Sequence, residues 1–317
     1  MKTYFFVGKG GVGKTSISSA YAVGLAKKRI KTLIVSLDPA HNLGDALNMD
    51  VFGKIVKVSD FLDATEVNID KKIVDYLSLM SKKMKNTYRY LSVLNIDRYF
   101  DILKNSPGIE EYVTLEAIKE FLQLDYDAIV FDTPPTGITL RVFAMPRISV
   151  IWTNSLIEMR RRILTKRQMV ENVKGPIKDV INGEEVKIPS NEKEDPVMQE
   201  LFSYKSDMIK LTERFSSLDN YVSIVTMAEE LAFEESKRIR GALRENNIRL
   251  SSIYLNKYLE IENPPPELLG KIEEQKRVLE EMKKEFSNIE IKKIPLLRSS
   301  PRGIEALYQL YQNYISN

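Results

Sequence analysis

The sequence predicts a doubly wound α/β fold around a mostly parallel sheet, with a helical subdomain inserted into it. Three observations carry this. Short apolar runs alternate with stretches of helical period, the pattern of strands joined by crossover helices. A glycine-rich turn, Gly8-Lys9-Gly10-Gly11-Val12-Gly13-Lys14-Thr15, follows the first apolar run directly. Two later runs, Lys31 to Leu37 and Ala128 to Phe131, are followed at once by an aspartate, Asp38 and Asp132.

Composition sets the bounds. A chain of 317 residues, 43% apolar and 29% charged, can bury a full core. The net charge of +3, from 47 basic and 44 acidic residues, argues against a nucleic-acid partner held by charge. Cysteine is absent, so no zinc or thiolate metal site is expected. His41 is the only histidine, so a metal would be bound by oxygen, most simply Mg²⁺. Met1 leads straight into a strand without a basic or apolar leader, and the expected location is the cytoplasm. The longest apolar runs, such as Ile148 to Trp152, fall far short of the ~20 residues of a membrane span. A membrane would be met at its surface or through a partner.

The first strand is Thr3 to Val7, and the turn after it fits G-x-x-x-x-G-K-[ST], a phosphate-binding loop. Its glycines let successive N–H groups point at one phosphate. Thr15 and Ser16 open a helix carried by Ile17, Ala20, Val23 and Leu25, whose N-terminus favours an anion. Lys14 would neutralise the β- and γ-phosphates of ATP, and the Thr15 hydroxyl would hold Mg²⁺. Gly8, Gly10 and Gly13 also satisfy the dinucleotide pattern G-x-G-x-x-G, but Lys14-Thr15 has no use there. Lys9 reads either as a solvated lysine or as one that reaches a phosphate bound by a partner subunit. The second reading is favoured.

The second strand ends at Leu37, and Asp38-Pro39-Ala40-His41-Asn42-Leu43 follows its carboxyl end, where ligands lie in open parallel sheets. Asp38 is placed to orient or activate a water; otherwise it would be an N-cap for a short helix near residues 42 to 47. From Ile69 to Leu124 the period is helical, with apolar faces around Met80 and Met84. Six tyrosines and phenylalanines lie from Tyr76 to Tyr112, forming either core or the wall of an apolar groove. The strand Ala128 to Phe131 leads to Asp132, expected to bind Mg²⁺ through water, and Thr133 to Gly137 is expected as a switch loop whose Gly137 N–H senses the γ-phosphate.

Residues 155 to 218 read as a second helical insertion. Its first part is basic (Arg160, Arg161, Arg162, Lys166, Arg167), and Lys174 to Pro196 is polar, a hairpin around Asn182-Gly183 or a mobile lid. Helical period resumes through Leu201, Met208 and Phe215. Strands at 221–225, 250–255 and 289–294 alternate with helices at 229–245, 266–286 and 303–315. Asn256, at the end of one such strand, carries the amide needed to pair with an adenine edge.

Taken together, the Gly8–Thr15 loop, Asp38-Pro39-Ala40-His41-Asn42-Leu43, Asp132-Thr133-Pro134-Pro135-Thr136-Gly137 and Asn256 resemble the ArsA and guided-entry ATPase family, whose guided-entry members target tail-anchored proteins. The resemblance implies a P-loop ATPase domain over residues 1–317, with a nucleotide core of 1–69, 127–154 and 219–317. A helical client-binding subdomain would comprise 70–126 and 155–218. It implies a homodimer in which Lys9 contacts the other subunit's ATP. Asp38 would position the attacking water and, with Asp132, hold Mg²⁺ through water. Pro39, His41, Asp132, Thr133 and Gly137 would belong to the switches, Asn256 would read adenine, and the loop from Pro295 through Pro301 to Gly303 would close over the base.

The partners implied are a second copy, the apolar helices of tail-anchored membrane proteins and a membrane receptor. The alternatives are an arsenite-pump ATPase subunit or an ATP-regulated chaperone. The chain departs from the family in three ways. It lacks the cysteines that clamp zinc in targeting members or bind the metalloid in pump members. Ile138 stands where histidine is common, and Lys174 to Pro196 is charged where targeting members are methionine-rich.

Overall fold

The structure is a computed structural model and describes residues 1–40, 42–87, 103–104, 106–175, 178–181, 184–187 and 189–316. Its first elements are β1 (Lys2–Val7), α1 (Lys14–Lys27), β2 (Thr32–Ser36), α2 (Leu43–Leu47), β3 (Val56–Ser59) and β4 (Leu62–Glu66). There follow α3 (Ile69–Thr87), α4 (Ile109–Phe121), β5 (Ala128–Asp132), α5 (Thr136–Lys174), β6 (Lys178–Ile181), β7 (Glu184–Lys187) and α6 (Pro196–Ser216). The chain closes with β8 (Asn220–Thr226), α7 (Glu230–Glu245), β9 (Leu250–Tyr258), α8 (Pro266–Glu285), β10 (Glu290–Pro295) and α9 (Gly303–Leu310), which widens into a π turn at Tyr311–Ile315.

Eight strands form one sheet in the order β10-β9-β8-β1-β5-β2-β4-β3, parallel throughout except for β3 at the edge. The fold is α/β, as the alternation predicts. β2 and β5 are buried along their whole length and β1 from its second residue, as strands covered on both faces must be. Successive side chains serve opposite faces. Tyr4 and Phe6 join Ile17, Ala20 and Val23 of α1 and Leu307 and Tyr311 of the C-terminal helix. On the other face Phe5 stacks on Phe131, ring centroids 4.6 Å apart, and meets Phe143 edge-on.

Register decides where the site forms. Phe6 pairs with Asp132, and Asp132 pairs with Ser36, so the turn after β1, the loop after β2 and the end of β5 emerge side by side at one edge.

By compactness the chain divides into Met1–Phe143 with Ser216–Asn317, and Ala144–Phe215. Helices α3 and α4 belong to the first unit with the sheet. In the second unit Ile157 and Leu164 of α5 pack on Met198 of α6. There the Arg160 guanidinium donates to both oxygens of Asp195, at 3.1 and 2.6 Å, and Asp195 also accepts the Met198 N–H, capping α6. Strands β6 and β7 pair antiparallel, the hairpin alternative for this stretch; its turn, Asn182-Gly183, lies outside the described residues.

Three local expectations change. The β3–β4 pair was not anticipated, because its short runs alternate with charged residues and give little apolar signal. Thr136 and Gly137 belong to the first turn of α5, since the Ile138 and Thr139 N–H groups already bond to the Pro135 carbonyl; the loop shrinks to Thr133–Pro135. Asp38 does not cap the short helix, for Asn42 occupies that position. Met208 is 0% exposed and belongs to the core, Met80 is half-buried, and the Met84 side chain lies outside the description. Of the six aromatics from Tyr76 to Tyr112, only those two are described, their rings 4.9 Å apart. Among the described residues no helix is long and apolar enough to cross a membrane.

Candidate functional site

The site is built on the turn from β1 into α1. Gly13 takes the left-handed conformation, φ +95, and a Cβ there would lie 2.4 Å from the Asn256 amide nitrogen. A Cβ on Gly8 would lie 2.1 Å from the Val225 carbonyl oxygen, so the turn hugs the neighbouring strand. No side chain caps the start of α1 and no acid sits in its first turn, so the amides there remain available to an anion.

Around this turn opens a cavity of about 370 Å³, within the size range of small-ligand sites. Gly11, Gly13, Lys14, Thr15 and Ser16 line its floor. Asp38, Asn256, Pro295 and Pro301 also line the cavity. Gly8, Lys9, Gly10 and Val12 shape the turn without lining this cavity.

Lys14 is 4% exposed; its ammonium lies 3.3 Å from the Lys9 carbonyl and 4.0 Å from Asp38 Oδ2. The Thr15 hydroxyl donates to Asp132 Oδ2 at 2.7 Å, and Ser36 Oγ lies 3.5 Å from the same oxygen. Asp132 Oδ1 is fully buried and has no hydrogen-bond partner among the described residues. Burial pushes the Asp132 carboxyl up to about 7, opposed by the Thr15 hydroxyl and the Lys14 charge and reinforced by Asp38. Asp38 Oδ1 accepts the Ala40 N–H at 3.0 Å, which folds the loop into a local turn.

Other expected residues sit differently. The Thr133 hydroxyl is turned into the sheet, donating to the Phe6 carbonyl at 2.8 Å. Pro39 and Lys9 are exposed, and His41 lies outside the described residues. The Asn256 amide lines the cavity but spends a donor on the Val12 carbonyl, 2.8 Å away.

Two contributors were missed from sequence. Glu66, buried at the end of β4, accepts the Leu43 and Gly44 N–H groups at 2.7 and 3.0 Å and so anchors the helix after the Asp38 loop. Lys257 donates to the Gly11 carbonyl at 2.8 Å. Neither belongs to a local motif; an acid closing a short strand was the only signal for Glu66.

Comparison with known proteins follows the same residues. The family model for anion-transporting ATPases matches residues 1–315. A protein of Aquifex aeolicus with the provisional name arsenical pump-driving ATPase 2 is 31% identical over 314 residues, spanning 97% of both chains. The ATPase get3 of Pyrenophora tritici-repentis is 28% identical over 314 residues, 97% of this chain and 89% of the relative. The ATPase GET3 of Phaeosphaeria nodorum is likewise 28% identical, over 97% of this chain and 92% of its own. The reaction is ATP hydrolysis, with Mg²⁺ as the metal such enzymes use. Matched almost from end to end, phosphate loop included, the chain belongs to the anion-transporting ATPase family.

Proposed function

We propose that the chain acts as a homodimer that uses ATP binding and hydrolysis to capture and release the transmembrane helix of tail-anchored membrane proteins. One observation carries the client side of this reading. On α5 the residues Ile148, Ile151, Trp152, Met159 and Val173 are all exposed on one side of the helix, with the exposed cations Arg162 and Lys166 between the last two. From residue 148 to 173 the helix measures about 37 Å at 1.5 Å per residue, comparable to the roughly 30 Å apolar core that a membrane span crosses. Exposed apolar surface of this extent marks a binding face. The grouping of residues 70–126 and 155–218 as one client-binding subdomain belongs to the same reading.

The ATPase steps follow from this chain's residues. The amides from Gly10 to Ser16 hold the phosphates, and Lys14 leaves its 4.0 Å pairing with Asp38 for the β- and γ-oxygens. The residues fit Mg²⁺: the Thr15 hydroxyl can ligate it, and the unpartnered Asp132 Oδ1 can accept from a metal-bound water. Mg²⁺ neutralises charge on the β- and γ-oxygens when bound. Asp38, released, orients the attacking water. Asn256 and the loop from Pro295 to Gly303 hold the base. Lys9, exposed and away from its own cavity, reaches the nucleotide of the partner subunit. The resemblance to guided-entry ATPases and the get3 relatives support this reading; the Aquifex relative's name supports the arsenite alternative.

Co-expression with a protein ending in a transmembrane helix tests it. A stable complex in ATP, lost when Trp152 and Met159 are both made glutamate, is the expected result. No complex in any nucleotide state, together with arsenite-stimulated hydrolysis, would favour the pump alternative.

A further inference from the structure

A loop that binds phosphate with its backbone N–H groups must turn them inward, which leaves its carbonyl oxygens facing outward and in need of donors. Here the outward carbonyls are met by side chains. Lys14 reaches the Lys9 carbonyl, the Asn256 amide takes that of Val12, and the Lys257 ammonium takes that of Gly11.

Lys257 does so from an uncommon backbone. Its φ is +56, in the left-handed region that a long side chain seldom adopts. The surroundings hold that turn. Two residues on, Leu259 has both main-chain groups taken by one buried side chain: its N–H donates to Gln275 Oε1 at 3.0 Å, and its carbonyl accepts from Gln275 Nε2 at 2.6 Å. Between them, the Tyr258 carbonyl accepts the Leu296 N–H at 2.9 Å, just where the register of β10 slips against β9. Residues 256 to 259 therefore tie three pieces together: the phosphate loop, the loop expected over the base, and α8.

We propose that Lys257 is a positioning residue of the nucleotide site: its ammonium fixes the Gly11 peptide so that the loop amides face the phosphates, and Gln275 fixes the turn that aims it. Lys257 is exposed and lines the cavity, so the ammonium acts at the rim rather than within the core. This organises the loop for ATP and ADP alike, and the effect falls on binding rather than on the chemical step. The inference rests on the seat of the nucleotide proposed above.

The test uses the full chain with Lys257→Met, Lys257→Asn, Lys257→Arg and Gln275→Glu. Losing one charge-assisted bond should raise the KM for ATP and the Kd for ADP together by about five- to tenfold, with kcat changed by at most about twofold. Asparagine accepts the left-handed backbone more readily than lysine but has no ammonium. Equal losses in the Met and Asn variants would assign the effect to the charge rather than the turn. Lys257→Arg should restore most of the affinity. Gln275→Glu, which keeps the acceptor for Leu259 N–H but loses the donor, should shift both constants the same way by a smaller factor. Unchanged KM and Kd in the Met and Asn variants, or an Arg variant as weak as Met, would overturn the proposal. ATP binding that survives Lys14→Ala would instead remove the seat itself.

Discussion

Three ionisable groups, Lys14, Asp38 and Asp132, come together beside the strand ends in a waiting arrangement. Lys14 is paired with a carbonyl and an aspartate that ATP would replace, and Asp132 has one oxygen bonded and one unpartnered. Lys14→Ala should abolish measurable nucleotide binding. Asp38→Asn should leave ADP affinity unchanged and lower kcat by about 100-fold or more, the usual loss when a group that activates water is removed. Lys9→Ala should lower kcat while leaving ADP affinity within about twofold, the result expected of the proposed dimer in which Lys9 reaches the partner's nucleotide. Steady-state hydrolysis beside calorimetric ADP binding reads all three; an Asp38→Asn enzyme of full activity would remove that residue from the mechanism. These residues were legible because their motif is contiguous or follows a strand end. Lys257 was not, since its partner Gly11 lies 246 residues away and the contact depends on an unusual turn.

Strands buried on both faces are the elements the sequence marked best, because continuous apolar runs have few other uses. β3 and β4 escaped notice because both are short and interrupted by a charged residue, Lys57 and Asp63, which leaves little apolar run even though β4 is largely buried. The switch loop was drawn too long for a different reason: Pro134 and Pro135 end a strand, but Pro135 also serves as the first acceptor of a helix. In the second unit one aspartate organises two helices. Burial pushes the Asp195 carboxyl up, but the Arg160 bonds, the Met198 N–H and the charges of Arg160 and Arg167 together hold it below the ordinary range. A depressed carboxyl contributes stability that is full above its unfolded value near 4 and fades as pH falls through the folded one. Asp195→Ala should cost roughly 3 kcal/mol through the lost buried pair and cap. Its thermal midpoint should sit below that of the parent at pH 7, with the gap narrowing below about pH 4. A gap independent of pH would show that the cap alone matters.

At the scale of the whole molecule, the phosphate loop and the exposed row on α5 belong to different compact units, the loop to the first and the row to the second. The family resemblance could be read from local motifs, because the phosphate loop and the Asp38 and Asp132 stretches are each contiguous and each follow or close a buried strand. The place of the exposed apolar row, on which the proposed client seat rests, could not. Met208, which has the residue type expected of an apolar groove, is buried, whereas the exposed row starts in the short apolar run Ile148 to Trp152 and continues into the stretch that reads as basic. Helical period shows that a face is apolar but not which face the rest of the chain covers. Trp152 is the single tryptophan of the chain and is 68% exposed on that row. The most direct measurement is therefore its emission while the protein is titrated with an apolar helical peptide of about 20 residues, with ATP and Mg²⁺ and again with ADP. A shift to shorter wavelength that saturates with ATP, and is weaker with ADP, is the expected result. Emission that stays unchanged in every nucleotide state would contradict a client seat on α5.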